Sequence, residues 1–560
     1  MVISEIAPIK PSLSPKTSNR LMHSIFIIYI FITIFFIKLN LVLYPYLHAI
    51  MIALILLLIL GSMQHNPKSL LLVALSTAIT PIIVMTSTKH PLPLGDDARF
   101  IGFAQAIYRD GRWIPFKYQE NTYYQPFHLI PFLEYILAVL LGLNLKNIEA
   151  YYLLLKFSLW LTYMISTYLV IKNLSNDYSK SLVGILLLSI TPPIALTQVV
   201  HQAYAIVLFL ITASVLVKEI RVRQSLNTLF LVIIVLWIAG IIAHATYTVM
   251  FLAFILPLFL IEREGVSKKN IALLSATLVS ISIIYWTYLY MLDEIVRSTI
   301  SATTRLIDLL IGRTPFSPFH GTAKPWYTSS TSTFFIAWAF VPSIVASYIL
   351  LLLSKIIFKH WKYSWSFMEL LGFLGLSGTA VNYILRALST FGGRYFYWLY
   401  ILMIPLATMV VKKVSRSPLS LLPSIILIST AAFYGIQDPT MAANTYGNYI
   451  GWADRTSWHI ALELQPYLGH RASKWIDPRL SAPLSSTAPL PAGNGRINYQ
   501  QKVAIIGVDK VGLKGASKDP RNVDWFIRNF NVEPHNIMNK LDEFSVILNI
   551  DKYIGIWGNP

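Results

Sequence analysis

The chain contains no cysteine at all. Disulfides, thiolate nucleophiles and zinc–thiolate sites are therefore excluded, although an exported domain can still hold without bridges. Charge is scarce too. Only 13% of the 560 residues are Asp, Glu, Lys or Arg, about half the share in an ordinary soluble protein. A phosphate-cradling GxxxxGK[ST] loop, an HExxH zinc motif and a GxSxG nucleophile elbow are all missing, which removes three common routes to catalysis. The apolar runs lack rows of ionisable residues, and such rows are what mark ion pathways. No internal repeat is visible.

What is abundant is apolar sequence. Hydrophobic residues make up 55% of the chain and the mean hydropathy is +0.59. "AIMIALILLLILG" and "LVIIVLWIAGIIA" lie inside runs long enough to cross a bilayer as helices. This pattern predicts a polytopic α-helical membrane protein. The first 23 residues are polar and basic. The apolar run after them has no small-residue cleavage site, so it is expected to be a retained span.

Apolar runs place spans near 24–38, 41–60, 69–86, 151–171, 181–199, 203–217, 227–244, 247–261, 271–291, 333–353, 366–386, 395–411 and 419–436. A further run, "FHLIPFLEYILAVLLGL" (127–143), is short and is interrupted by Pro131 and Glu134. Loop charges decide its place, because short cytoplasmic loops carry the Lys and Arg excess. With 127–143 left out, one side receives Lys10, Lys16 and Arg20; Lys68; Lys172 and Lys180; Lys218, Arg221 and Arg223; Arg263, Lys268 and Lys269; Lys355, Lys359 and Lys362; and Lys412, Lys413 and Arg416. Counting it as a span would put the loops up to Lys68 opposite the later ones. It is therefore expected to lie at the outer interface.

About thirteen transmembrane helices follow, in a cell membrane. Residues 1–23 form a cytoplasmic tail, 24–436 a membrane domain, and 437–560 an extracytoplasmic C-terminal domain. Segments 87–150 and 292–332 become outer loops. The net charge of +19 is then largely a topology signal, and nucleic acid is not expected as a partner. In the tail, "KVAIIGV" and "FSVILNI" read as short buried strands, "NVDWFIRNF" as a helix and "LSAPLSSTAPLPAGNG" (480–495) as a loop. A small α/β domain is expected there.

The first outer loop holds the candidate chemistry. "LGDDARFIGFAQAIYRDGRW" (94–113) reads as an amphipathic helix with Asp96 and Asp97 at its N-terminus. Free amides and the helix dipole favour ionised carboxylates at that position. Such a carboxylate can act as a general base toward a hydroxyl or hold a divalent cation. Simple N-capping is the plainer reading. Downstream, Trp113, Tyr118, Tyr123, Tyr124 and His128 gather beside Arg112 and Lys117. Interface anchoring accounts for aromatics there, and rings also stack on sugar faces.

Loop 292–332 carries Arg297, Arg305, Arg313, His320 and Lys324, on the side where topology calls for no positive charge. Arg forks match phosphate oxygens in shape and charge. Headgroup contact by a solvated loop is the plainer account. "FGGRYFYW" (391–398) puts Arg394 at the outer mouth of a span, another candidate for phosphate. His201 and His244 lie near outer span ends, with Tyr204 and Tyr247 three residues later. Residues of this kind usually hydrogen-bond between helices.

The order "DDARFIGFAQAIYRDGRWIPF", then "YYQPFHLIPFLEYILAVLLGLN", then "GGRYFYWLYILMIPLA" resembles the GT-C membrane glycosyltransferases. The likeness is to the branch of aminoarabinose, protein-mannosyl and related archaeal transferases. It implies transfer of a sugar from a polyprenyl-phosphate-linked donor to a protein, lipid or glycan acceptor outside the membrane. By this resemblance Asp96 holds the acidic catalytic position, and Asp97 stands where the family has Glu. Arg99 matches the family's Arg, while Phe100 replaces its Tyr and removes a hydroxyl. Arg394 matches the late Arg and would neutralise the leaving phosphate. His128, Arg305, Arg313 and Lys324 join Arg99 and Arg394 as candidate substrate contacts. The resemblance leaves open any divalent cation. The competing expectation is a non-enzymatic transporter or flippase of lipid-linked glycans.

Overall fold

The computed structural model describes residues 148–190, 201–222, 226–244, 246–260, 268–288, 340–358, 364–387 and 396–414. It also describes four strands between 473 and 558 and single positions within 20–31, 136–139 and 296–313. The helices are α1 (Ile148–Ser175), α2 (Tyr178–Ile190), α3 (His201–Val222), α4 (Leu226–Ala243), α5 (Thr246–Leu260), α6 (Lys268–Tyr288), α7 (Phe340–Phe358), α8 (Phe367–Ala387) and α9 (Phe396–Val414). The strands are β1 (Ser473–Ile476), β2 (Val503–Val508), β3 (Ser545–Ile550) and β4 (Tyr553–Gly558).

Apolar runs become helices because only a helix satisfies every backbone amide and carbonyl within its own segment, and lipid offers no substitute. His201–Glu219, Lys269–Thr287 and Val341–Phe358 are long and apolar enough to cross a membrane, and α4, α5, α8 and α9 contain shorter apolar stretches. This is a helical membrane protein. Each expected span from 151–171 to 395–411 overlaps one of these helices. The spans at 24–38, 41–60, 69–86 and 419–436 and the surface helix at 127–143 lie outside the described residues, apart from isolated helical positions.

Polar residues set the helix ends. Asn176 takes a left-handed conformation, with φ of 54°, after α1. Asp177 then caps α2, its carboxylate accepting the Lys180 amide at 3.2 Å. A reciprocal capping box opens α8. The Ser366 amide donates to the Glu369 carboxylate at 2.8 Å, and the Glu369 amide donates to the Ser366 hydroxyl at 3.3 Å. Glu369 also accepts a hydrogen bond from Tyr348 of α7 at 2.7 Å. Inside the helices, Ser and Thr hydroxyls bond back to carbonyls of the preceding turn, as Thr408 does to Ile404 at 2.8 Å. That satisfies those hydroxyls away from water.

Contacts divide the chain into two compact units. One comprises 1–84, 157–197 and 201–437; the other comprises 85–156, 198–200 and 438–560. In the first, α9 packs against α8, α7 and α2, while α3 packs against α4 and α5. α9 is buried on nearly every face from Trp398 to Val411, and α3 is buried over most of its length. An apolar helix enclosed on all sides is an interior element. α6 and α7 instead expose Leu273, Ile284, Leu350, Leu351, Ile357 and Phe358. Apolar exposure on that scale suits acyl chains and not water.

Glycine sets the α8–α9 contact. A Cβ at Gly372, Gly375 or Gly378 would meet Leu406, Met403 or Leu399 respectively. At Gly375 it would lie 2.6 Å from Met403 Cγ and 2.9 Å from the Leu399 carbonyl oxygen. One small residue per turn lets the two backbones approach closely, the usual way for helices to associate in lipid.

The second unit contains a four-stranded sheet in the order β1-β2-β4-β3. β1 and β2 run parallel; β2 with β4, and β3 with β4, run antiparallel. Pairing of Ile550 with Tyr553 leaves a two-residue hairpin loop between β3 and β4. β2 and β3 coincide with the two strands read from "KVAIIGV" and "FSVILNI", while β1 and β4 add two that hydropathy did not single out. The expected helix "NVDWFIRNF" lies outside the described residues.

Candidate functional site

Asp96, Asp97, Arg99, His128, Arg305, Lys324 and Arg394 lie outside the described residues. Arg313 lies within them. Its side chain is exposed, and its amide donates to the Asp308 carbonyl at 2.8 Å. Gly312, with φ of 74°, supplies the left-handed residue that this helix-ending turn needs. The described positions from Val296 to Asp308 are helical, so segment 292–332 is more than a loop. A polypeptide whose amides have no neighbouring strand satisfies them most economically by coiling.

A polar and aromatic cluster occupies the ends of α3, α4 and α5. His201 opens α3 and His244 follows α4. Their rings stack with centroids 4.6 Å apart and planes 12° apart. His244 also caps α5. Its Nδ1 accepts the Thr246 amide at 3.0 Å and lies 2.6 Å from the Thr246 hydroxyl. A ring nitrogen accepting from an amide carries no proton, so a singly protonated His244 has its proton on Nε2.

The cluster continues inward. Thr212 and Tyr247 hydroxyls lie 2.8 Å apart. The Trp237 indole donates to Ser282 at 3.0 Å, and Ser282 lies 3.0 Å from Thr248. Around these bonds, Trp237, Tyr247, Phe251, Phe254, Phe209 and Trp398 make successive ring contacts with centroids between 5.1 and 6.3 Å apart. A Cβ at Gly240 would collide with the Tyr247 ring, so glycine at that turn of α4 is what admits the phenol. Most of these contacts cross from one helix to another, while Tyr247, Phe251 and Phe254 share α5. In the His244–Tyr247 pair each side chain meets a residue of α3, His201 and Thr212 respectively.

No protein-family model matches the chain, and no curated protein does. Among solved structures, the crystal structure of the Archaeoglobus fulgidus oligosaccharyltransferase, tethered with an acceptor peptide containing the NVT sequon via a disulfide bond, is similar. The similarity covers 81% of this chain and 71% of that one, with 12% sequence identity and a TM-score of 0.42.

Proposed function

We propose that this membrane protein is a glycosyltransferase of the GT-C type, which moves a sugar from a polyprenyl-phosphate-linked donor to an acceptor on the extracytoplasmic side. The observation that carries the reading is the order of charged motifs against the spans. A tandem carboxylate, Asp96-Asp97, heads the first long segment that loop charges assign to the exterior. Arg394 stands two residues ahead of α9, which is buried on nearly every face from Trp398 to Val411.

In this reading the acceptor hydroxyl attacks the anomeric carbon, the bond from that carbon to the phosphate oxygen breaks, and the polyprenyl phosphate departs. Asp96 takes the hydroxyl proton or orients the hydroxyl, and Arg394 stabilises the phosphate as its charge grows. Asp97 assists at the same position. Arg99, His128, Arg305, Arg313 and Lys324 contribute contacts to donor or acceptor. Acceptors of three classes fit: protein, lipid or glycan.

The test is reconstitution with a panel of polyprenyl-phosphate sugars, with Asp96→Asn assayed in parallel. Transfer by the parent protein and its loss in a folded Asp96→Asn variant support the reading. Folded parent protein with no turnover on any donor, or a fully active variant, overturns it. Movement of lipid-linked glycans across the bilayer without transfer favours the transporter.

A further inference from the structure

Between α6 and α7 the helical positions from Val296 to Asp308 are arranged inside out. At about 100° per residue, Val296, Ile300, Ile307 and Ile311 fall within a sector of about 60°. All four are exposed, Ile300 by 61% and Ile311 by 55%. Thr303 and Thr304, which border that sector, are exposed as well. Ser301 and Asp308, displaced from it, are the half-buried positions. A helix on a water-facing surface does the reverse, turning polar groups outward and apolar ones in.

The described positions by themselves fall short of a bilayer. From 296 to 311 a helix reaches about 24 Å at 1.5 Å per residue, against a hydrocarbon core of about 30 Å. Its sequence also carries Arg297, Arg305 and Asp308, and Gly312 ends it in a tight turn. It follows α6, whose exposed Ile283 and Ile284 already continue an apolar outer surface.

We infer that this stretch is an interfacial helix lying along the membrane plane, with Val296, Ile300, Ile307 and Ile311 set into the acyl layer. Its partner is the lipid bilayer itself. Nearby arginines in sequence suit phosphate headgroups at that depth. The inference rests on exposure and helical position, and holds whatever chemistry the protein performs.

The cysteine-free chain permits a direct test. Single cysteines at Ile300, Ile307 and Ser301 in the full-length protein are labelled with an environment-sensitive fluorophore. The protein is reconstituted in phosphatidylcholine vesicles carrying nitroxides at a shallow or a deep acyl position. At 300 and 307 the shallow nitroxide should quench most of the emission, the deep one little, and aqueous iodide little. At 301 the acyl nitroxides should quench less than at 300. Strong iodide quenching at both 300 and 307 overturns the inference, as does a steady increase in depth from 300 to 307, which marks a spanning helix. Should Ile300→Cys or Ile307→Cys fail to fold, Val296→Cys and Ile311→Cys give the same reading.

Discussion

His201, at the start of α3, and His244, between α4 and α5, stack face to face with ring centroids 4.6 Å apart. His244 is at the same time the cap of α5, through the Thr246 amide. One imidazole thus fixes both the start of a helix and the meeting of three helix ends. Loss of an N-cap costs about 1 kcal/mol. His244→Ala should therefore lower the thermal midpoint of the reconstituted protein, whereas His244→Asn, which can still cap, should lower it less. Nitrogen-15 spectra of histidine-labelled protein should show the singly protonated ring as the Nε2–H tautomer.

The α8–α9 contact should be intolerant of added volume. Gly375→Val places atoms where Met403 and the Leu399 carbonyl already stand, and overpacking of this kind costs about 1–3 kcal/mol. Val381→Ala, on an exposed part of α8, serves as the control and should shift stability far less. Denaturation of both variants in matched lipid decides it.

Glu369 links two helices through one carboxylate. Glu369→Ala removes the acceptor of two donors, the Tyr348 hydroxyl and the Ser366 amide. Tyr348 is half-buried and Ser366 exposed, so water can replace part of what is lost and the cost should be about 1 kcal/mol. Tyr348→Phe removes one of those donors. A double-mutant cycle should therefore be non-additive, the double variant losing less than the sum of the singles. Strict additivity would show that the pair is not coupled.

On the proposed reaction, Asp96→Asn should lower kcat by about 10²–10⁴-fold, the usual contribution of one positioned base. Arg394→Lys keeps the charge but loses the planar fork. It should retain more activity than Arg394→Ala. Equal losses in the two Arg394 variants would argue against a phosphate contact there.

Topology can be read with an impermeant thiol reagent, because the parent chain has nothing to label. Cysteines at Asn121 and at Ser389 should both react from outside intact cells, and one at Ser415 only after permeabilisation. If Asn121→Cys and Ser389→Cys label from opposite faces, the outward site is refuted.

Much of the membrane unit was legible in one dimension. The span expected at 366–386 lies within one residue of α8 at either end, and that at 227–244 within one residue of α4. Hydropathy succeeds here because burial of the backbone in lipid depends only on the local run of side chains. Strands were half legible. β2 and β3 show as apolar runs, whereas "SKWI" of β1 and "YIGIWG" of β4 are too short or too mixed to stand apart from loops.

The sequence by itself determined the class: apolar runs of bilayer length with almost no charge within them. Tertiary structure alone decided which helix is enclosed, which rings stack, and that the apolar sector at 296–311 faces outward. Hydropathy adds up along a segment and is blind to neighbours. Who packs against whom depends on where glycines open a surface, as at Gly375 and Gly240, and on which hydroxyl or imidazole finds its partner on another helix.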